Sequence, residues 1–489
     1  MSYASGGVIS ATDFNGLATT NSANIAYVWG TGSSTFGYGQ SVSALSALSA
    51  GTTVTATQWS GLLTVLNNAS LHQGGSSLGP LNYTAGEIIT YFSNVTTAIS
   101  TIQTNRNSYG SSGATVTGNV IIPRFLAPTN DISARYWHTG FAVTFASADQ
   151  ARYFFNAGGR LNLVTNSASN NAGTNRTADW CTFLATNMIT INNIGQTTNS
   201  GLSGTGGTVN TNNTSIGYWN AGGSNTSVGS TMVNISTTGG AYNGAYLDVK
   251  LRTIGVQGNN SDVGNKVYVD VTLYSPAQSA YSAPAPNPPG TGTTTTNTTT
   301  EDQIDITWNA RLDVVYPETT YLSNSWGPVH TGLYIPDLYE WAISSGGAGG
   351  NACTLSLDTG QSAPTPIGYA LAMTHDGNPD AYVSTYSAAK WNLCPATVGQ
   401  TFEWSVWIKA SSSVTIEGLL FMEADSAGTY LGGSSMGAIT VTTSWQRFTG
   451  QYTMANGSCA FAQTRLDGVQ GGGFTGIVYW AGFEIRRVA

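Results

Sequence analysis

The spacing of apolar positions changes near residue 106, which divides a helical opening from a long β-rich remainder. Before that point, three segments each begin with a capping signature and continue with apolar residues three and four apart, the pattern of a helix that buries one stripe. Ser10 with Asp13 opens the first, which carries Phe14, Leu17, Ala18, Ile25 and Val28, with Gly30 placed to end it in a left-handed turn. Thr55 with Gln58 opens the second, with Trp59, Leu62, Leu63 and Leu66 ahead of Gly74-Gly75, and Thr84 with Glu87 opens the third, with Ile88, Tyr91, Phe92, Val95, Ile99 and Ile102. The first two openings align residue for residue, Val8 to Leu17 against Thr53 to Leu62, as a duplicated helix start would. A small helical core is the expectation for these aromatics, and docking is its expected use.

Beyond residue 106 the period is two. Val267, Val269, Val271 and Leu273 alternate with polar residues, as do Ile304, Ile306, Trp308, Ala310, Leu312 and Val314, so half-buried strands are predicted. Between about 165 and 244 Asn, Gly, Ser and Thr dominate, leaving short islands at 188–191, 216–219 and 231–236. The Pro/Thr-rich stretch over 275–302 cannot pack and reads as a long exposed hairpin loop. In the last third Phe402, Trp404, Val406 and Ile408 alternate with Glu403, Ser405, Trp407 and Lys409, a sandwich strand with one buried face. The predicted fold is mainly β: a small N-terminal three-helix region over 1–105, a central β domain over 106–327, and a C-terminal jelly-roll β-sandwich over 328–489.

Composition narrows the function. Only 8 % of the 489 residues are charged, against about 25 % in ordinary domains, so the surface is polar and nearly neutral, supplied by 60 glycines and dense Ser, Thr and Asn. A net charge of −8 leaves no cation excess to neutralise phosphates, which argues against nucleic-acid binding. No run approaches the roughly 18 apolar residues of a membrane helix, so membrane insertion is not expected, and the opening Met1 to Gly7 shows no export signal. Cys181, Cys353, Cys394 and Cys459 have neither CxxC spacing nor an even terminal cluster, and free thiols are expected. A surface of extracellular texture without an export signal suits a particle protein that is assembled in a host cytoplasm and released by lysis.

Two passages carry resemblances. The phrase Ala148 to Gly159 (ADQARYFFNAGG), with Val8 to Asn15 and Gly37-Tyr38-Gly39-Gln40, resembles virion structural proteins of phages, cyanophages among them. That resemblance covers roughly residues 1–327 and implies a structural role, a virion location, and contacts with itself and with other virion proteins. Trimeric assembly is the expectation from fibre analogy. The phrases Thr354 to Asp358, Gly399 to Ala410, Ser444 to Arg447, Arg465 to Gly468 and Tyr479 to Ile485 resemble carbohydrate-binding modules with a galactose-binding-like jelly roll, over about 150 residues. This resemblance implies host surface polysaccharide as a partner; members of such folds often hold a structural calcium, for which Asp337, Glu340 and Glu484 are the candidate ligands, although Ala481 stands where an Asp is common. No other cofactor is expected.

Sugar recognition needs flat aromatic faces and planar polar groups. Trp407 is the first aromatic candidate by strand parity, followed by Trp391, Tyr382, Tyr386 and Tyr430 in loop-like text; for each, ordinary packing is the competing reading. Asp376, Asp380, Glu423 and Asp425 do not pair by any spacing that glycoside hydrolysis would require and read as solvated loop acids, and the four histidines are scattered. The expectation is a non-enzymatic tail, fibre or other appendage component. A soluble carbohydrate-binding adhesin and a polysaccharide-degrading enzyme are the alternatives.

Overall fold

The computed structural model describes residues 9–19, 22, 24–79, 81–87, 92–109, 112–116, 125–126, 135–166, 189–193, 196–198, 208–215, 217, 230–236, 244–253, 264–275, 305–306, 309–323, 330–334, 342–345, 353–358, 360–362, 370–377, 381–384, 386–387, 390–391, 394–425, 429–469 and 473–487. It is mainly β, with short helices near the N-terminus.

Helices α1 (Ala11–Ala18) and α3 (Ala56–His72) open as the capping signatures predict. Ser10 accepts from the Asp13 amide while Asp13 reaches back, and Thr55 and Gln58 repeat the exchange. The duplicated openings also lie side by side, through a bridge between Ser10 and Thr53. The third signature is made too, since the Thr84 amide donates to Glu87 at 2.8 Å; the described helix α4 begins later, at Phe92–Thr104. One expectation fails. The first predicted helix is two, because the chain turns extended at Thr19 and re-enters a helix only at α2 (Ile25–Trp29), after an extended Asn24. The intervening Thr, Asn and Ser side chains favour local backbone bonding over helix continuation. Gly30 is not left-handed either, with φ −84°; it is small because a Cβ there would lie 2.6 Å from Val42. Phe14, Leu17, Trp59, Leu62, Leu66, Val95, Ile99 and Ile102 bury together as the helical core.

A further helix, α5 (Ala148–Asn156), stands where period two was expected. Its signal was present: Ser147 caps the Gln150 amide, the same cap-to-N3 spacing that marks α1 and α3.

The strands of the largest sheet are numbered β1 Arg135–Thr144, β2 Thr208–Asn212, β3 Ser230–Ser236, β4 Tyr246–Thr253, β5 Lys266–Ser275, β6 His330–Tyr334, β7 Cys353–Asp358, β8 Ala370–Asp376, β9 Thr401–Ala410, β10 Gln446–Thr453 and β11 Thr475–Arg487. Their order runs β7-β8-β11-β6-β1-β5-β4-β3-β2, with β9 on the other edge of β11 and β10 beyond it. Strand β6 joins the two ends, pairing with β1 at Leu333↔Phe141 and with β11 at Leu333↔Ile485. The sheet is therefore continuous from the central region into the C-terminal sandwich.

Two smaller sheets cover its inner side. Strands Arg160–Asn166, Ile189–Ile191 and Asn309–Pro317 bring Leu161, Leu163, Ile189, Leu312 and Val314 against Phe141, Val249, Val269 and Val271, and α5 closes one end with Phe154 and Phe155. Further along, strands Gly418–Ala424 and Phe461–Asp467 bring Leu419, Phe421 and Leu466 against Phe402, Trp404, Val406 and Ile408. The predicted alternation in both stretches is thus the core pattern. Beyond Ser275 the 275–302 stretch lies outside the described residues, and the strands on its two sides are not partners: β5 pairs with β1 and β4, whereas Asn309–Pro317 pairs in the opposite sheet. The two flanking strands lie in different layers, a difference that their identical patterns could not reveal.

The two phrases Gly37 to Gln40 and Ala148 to Gly159 meet in space. Arg152, buried on α5, donates through Nη1 to the Thr31 and Phe36 carbonyls at 2.7 Å each and pairs with Asp149 at 2.8 Å. Asn156 donates to the Ser34, Phe36 and Gly37 carbonyls. Gly37 has φ +101° and its missing Cβ would sit 2.1 Å from the Thr31 carbonyl oxygen, so only glycine fits. Tyr38 accepts from Gln73 and donates to the Arg106 carbonyl, while the Gln40 side-chain oxygen accepts from Ser323. The helical region is thereby held to the sheets through buried polar bonds.

Candidate carbohydrate-binding face

Residues Phe402, Trp404, Val406 and Ile408 point inward along β9, so Trp407 and Lys409 emerge on the outer side of the sheet. A bulge decides what stands next to them. Ser405 opposes Glu484 but Trp407 opposes Ala481, and the extra residue falls at Gly482, with φ +57°. The shift lets Trp480 and Phe483 both face the core, while Tyr479 and Ala481 share the outer side with Trp407.

The outer side has a floor of small residues. Ala370, Ala372 and Ala481 are buried with Tyr479 beneath half-buried Trp407, Trp445 and Ile477. Lys409 Nζ lies 5.1 Å from the Trp445 ring and 5.3 Å from the Tyr479 ring, a cation–π arrangement that holds both planes. Asp358 accepts from the Gly360 amide at 2.8 Å and from Gln361 Nε2 at 2.7 Å, which fixes the turn. The Gln361 carbonyl in turn accepts from Trp445 Nε1 at 3.1 Å. Burial, then Asp358, pushes the Tyr479 hydroxyl above its ordinary range. Around the rings, exposed Arg447 donates to Ser405 and Gln451 donates to Glu403. Indole planes, one of them braced, beside guanidinium, carboxylate and amide groups can stack on the apolar side of a sugar ring and bond its hydroxyls.

Trp445 was not among the sequence candidates. Its signal was parity: Arg447 and Thr449 face outward along β10, so a residue two positions earlier continues that side. The other aromatic candidates are not gathered around Trp407. Tyr382 lies on the Ala381–Ser384 strand and Tyr430 on the Tyr430–Ser435 strand, both in the opposite sheet, where Tyr430 is 59 % exposed. Tyr386 and Trp391 oppose each other in a two-stranded ladder of their own. The side chains of Tyr382, Tyr386 and Trp391 lie outside what is described, and all four tyrosine and tryptophan positions are in strands rather than loops.

Asp337 and Glu340, the calcium candidates on the chain after β6, lie outside the described residues. Glu484 is placed on β11 opposite Tyr334 of β6 and Ser405 of β9, without a described side chain. Among the described residues no three His, Cys, Asp or Glu side chains gather as a metal site.

Glu423 is not a solvated loop acid. It lies buried on a strand and accepts from the Tyr452 hydroxyl at 2.6 Å and the Ala455 and Asn456 amides at 2.6 and 2.8 Å. Burial works to raise its pKa, but these bonds outweigh it and hold the carboxyl below the usual range. Asp467 is gripped by Arg465 through two bonds of 2.6 and 2.8 Å, yet burial keeps its pKa raised. Cys353 and Cys459 are buried thiols outside any disulfide, and burial pushes Cys353 up to about 11.

No family model and no curated protein matches the chain. Solved structures similar to parts of it include the enzymatically active domain of tailspike protein 4 of bacteriophage CBA120, at 12 % identity and TM-score 0.25 over 31 % of this chain. The match spans only 20 % of that tailspike. They also include the CBM22-1 xylan-binding domain of Paenibacillus barcinonensis Xyn10C, at 16 % identity and TM-score 0.24 over 32 % of this chain and 89 % of the domain. A CBM4 structure is similar at 18 % identity and TM-score 0.23, over 30 % of this chain and 86 % of its own.

Proposed function

We propose that this chain is a structural component of a phage virion, in a tail, fibre or other appendage, whose C-terminal sandwich contacts host surface polysaccharide. In this reading residues 1–105 dock, 106–327 form the central body, and 328–489 face outward. The observation that carries it is half-buried Trp407 and Trp445 packed over one floor of alanines, Trp445 braced by Lys409 and Gln361, which leaves two aromatic planes on the outer side of the sheet. The virion role is supported by the phrases that resemble virion proteins, because those phrases bond to each other as one structural unit. The nearly uncharged surface adds support, since close packing of copies then desolvates few charges.

Catalysis is not part of the proposal, because buried Glu423 and Asp467 are each committed to bonds that hold the fold. Incubation with host polysaccharide should release no oligosaccharide.

Two measurements test the reading. Mass spectrometry of particles purified after lysis should find this chain, and its absence there would sink the virion role. On a glycan array the full chain should be retained, and Trp407→Ala should lower retention by about fivefold or more, the loss expected for one stacked ring. Equal retention of both proteins would remove the outer face from the account. The adhesin alternative predicts glycan retention by a chain that is missing from particles.

A further inference from the structure

Glycan contact on the C-terminal sandwich uses one end of a long sheet, and the other end carries a second surface of related chemistry. In β4 and β5, Leu247, Val249 and Leu251 and Val267, Val269, Val271 and Leu273 face the core, so the intervening residues line the outer side. Tyr246 and Tyr274 are direct cross-strand partners there, half-buried, with ring centroids 5.2 Å apart. Ser236 and Tyr136 extend the same row on either side by register. One row along, Asn234 opposes Asp248 and donates to it at 3.1 Å, and Asn210 donates to Asn234 at 2.9 Å and to Ser236 at 2.8 Å.

We propose that Tyr246 and Tyr274, with Asn210, Asn234 and Asp248, form a second carbohydrate subsite that takes an uncharged glycan chain. The chemistry of the face selects that ligand. Two adjacent phenol rings offer stacking area at low conformational cost, and the amide and carboxylate groups are already ordered by one another, so hydroxyls meet a fixed planar array. Charge on the face cancels, since Lys250 lies 3.6 Å from Asp248 and the neighbouring Arg252 and Asp270 are buried as a pair, which leaves no net field for an acidic sugar. A second copy of the chain is a poorer fit, because the centre of a protein interface is depleted of charged residues.

The position adds a consequence. Lys250, Asp270, Gly140, Tyr334, Glu484 and Ser405 are successive cross-strand partners, so they mark one side of one sheet. The Tyr246 and Tyr274 face therefore opens on the same side as Trp407, five strand spacings or roughly 24 Å away along the pairing direction.

The test uses the full chain on an array of uncharged hexose, pentose and N-acetylhexosamine chains, with analytical ultracentrifugation in parallel. The double variant Tyr246→Ala with Tyr274→Ala should lose retention about fivefold or more without changing oligomeric state. The matching double change to Phe, which keeps both rings, should stay within about twofold and serves as the folding control. Unchanged retention in the alanine variant overturns the proposal, as does a drop in oligomeric state, which would make the face an interface between copies. If Trp407→Ala is silent while the alanine pair loses binding, this subsite stands and the Trp407 reading falls; the opposite pattern overturns this subsite alone.

Discussion

Replacing Arg152 tests how the helical region is held to the sheets. Its guanidinium is fully buried and supplies 2.7 Å bonds to the Thr31 and Phe36 carbonyls, besides its pair with Asp149. The Phe36 carbonyl has a second donor, Asn156 Nδ2, at 3.0 Å. Arg152→Met keeps most of the volume but deletes bonds that contribute about 1.5–3 kcal/mol each when one partner is charged; about 3 kcal/mol is expected, since Asp149 is partly exposed and can turn to water. Asn156→Ala should cost about 1–2 kcal/mol. In each single variant the Phe36 oxygen keeps one donor, and in the double variant it keeps neither. The double should therefore exceed the sum of the singles by about 1–3 kcal/mol, the desolvation cost of an unsatisfied buried acceptor. The readout is hydrogen exchange at the Tyr38, Gly39 and Gln40 amides, which bond to the Val28, Gly30 and Trp29 carbonyls at 2.8, 2.8 and 3.0 Å. Each 1.4 kcal/mol quickens exchange about tenfold, so Arg152→Met should accelerate these amides by about a hundredfold. Additivity within about 0.5 kcal/mol, or unchanged exchange in the single variant, would refute the shared-acceptor reasoning.

Two pH-linked predictions concern the C-terminal sandwich. Burial pushes His375 down to about 4, and among the described residues neither ring nitrogen has a hydrogen-bond partner. The unfolded chain takes up a proton below about 6.5 that the folded one refuses, so stability falls as pH drops from about 6.5 towards 4. His375→Leu should flatten an acid-unfolding profile across that window, and an unaltered slope would contradict the buried neutral imidazole. Glu423 runs through the opposite charge: its carboxyl is held low, so its contribution is complete above the ordinary carboxylate range and is lost as pH falls through the lowered folded value. Glu423→Gln puts an amide donor against one of the Ala455 and Asn456 amides, which bond to different carboxylate oxygens, and should cost about 2 kcal/mol. Faster exchange at those two amides would show it, and full protection would argue that the loop is held by something else.

The helix starts were legible because a cap is a local exchange between residues three apart, complete within the segment at Ser10 and Asp13 and at Thr55 and Gln58. Alternation along β5 and β9 was legible for a similar reason, since burial of one face imposes period two wherever the strand lies. The break after Ala18 went unseen, because the apolar stripe resumes in phase enough to mimic one helix across Thr19 to Asn24.

By itself, the sequence determined what α1, α3, β5 and β9 bury, that the chain is mainly β, and that Trp407 faces away from Trp404. It could not determine which strands become neighbours. The place of Trp445 and Tyr479 beside Trp407, the separation of Tyr382 and Tyr430 from it, and the capture of the Gly37 loop by Arg152 all depend on partners far along the chain. Register, a single glycine bulge and the crossing of β6 between two sandwiches set those meetings, and such long-range pairings leave no period in the text to read.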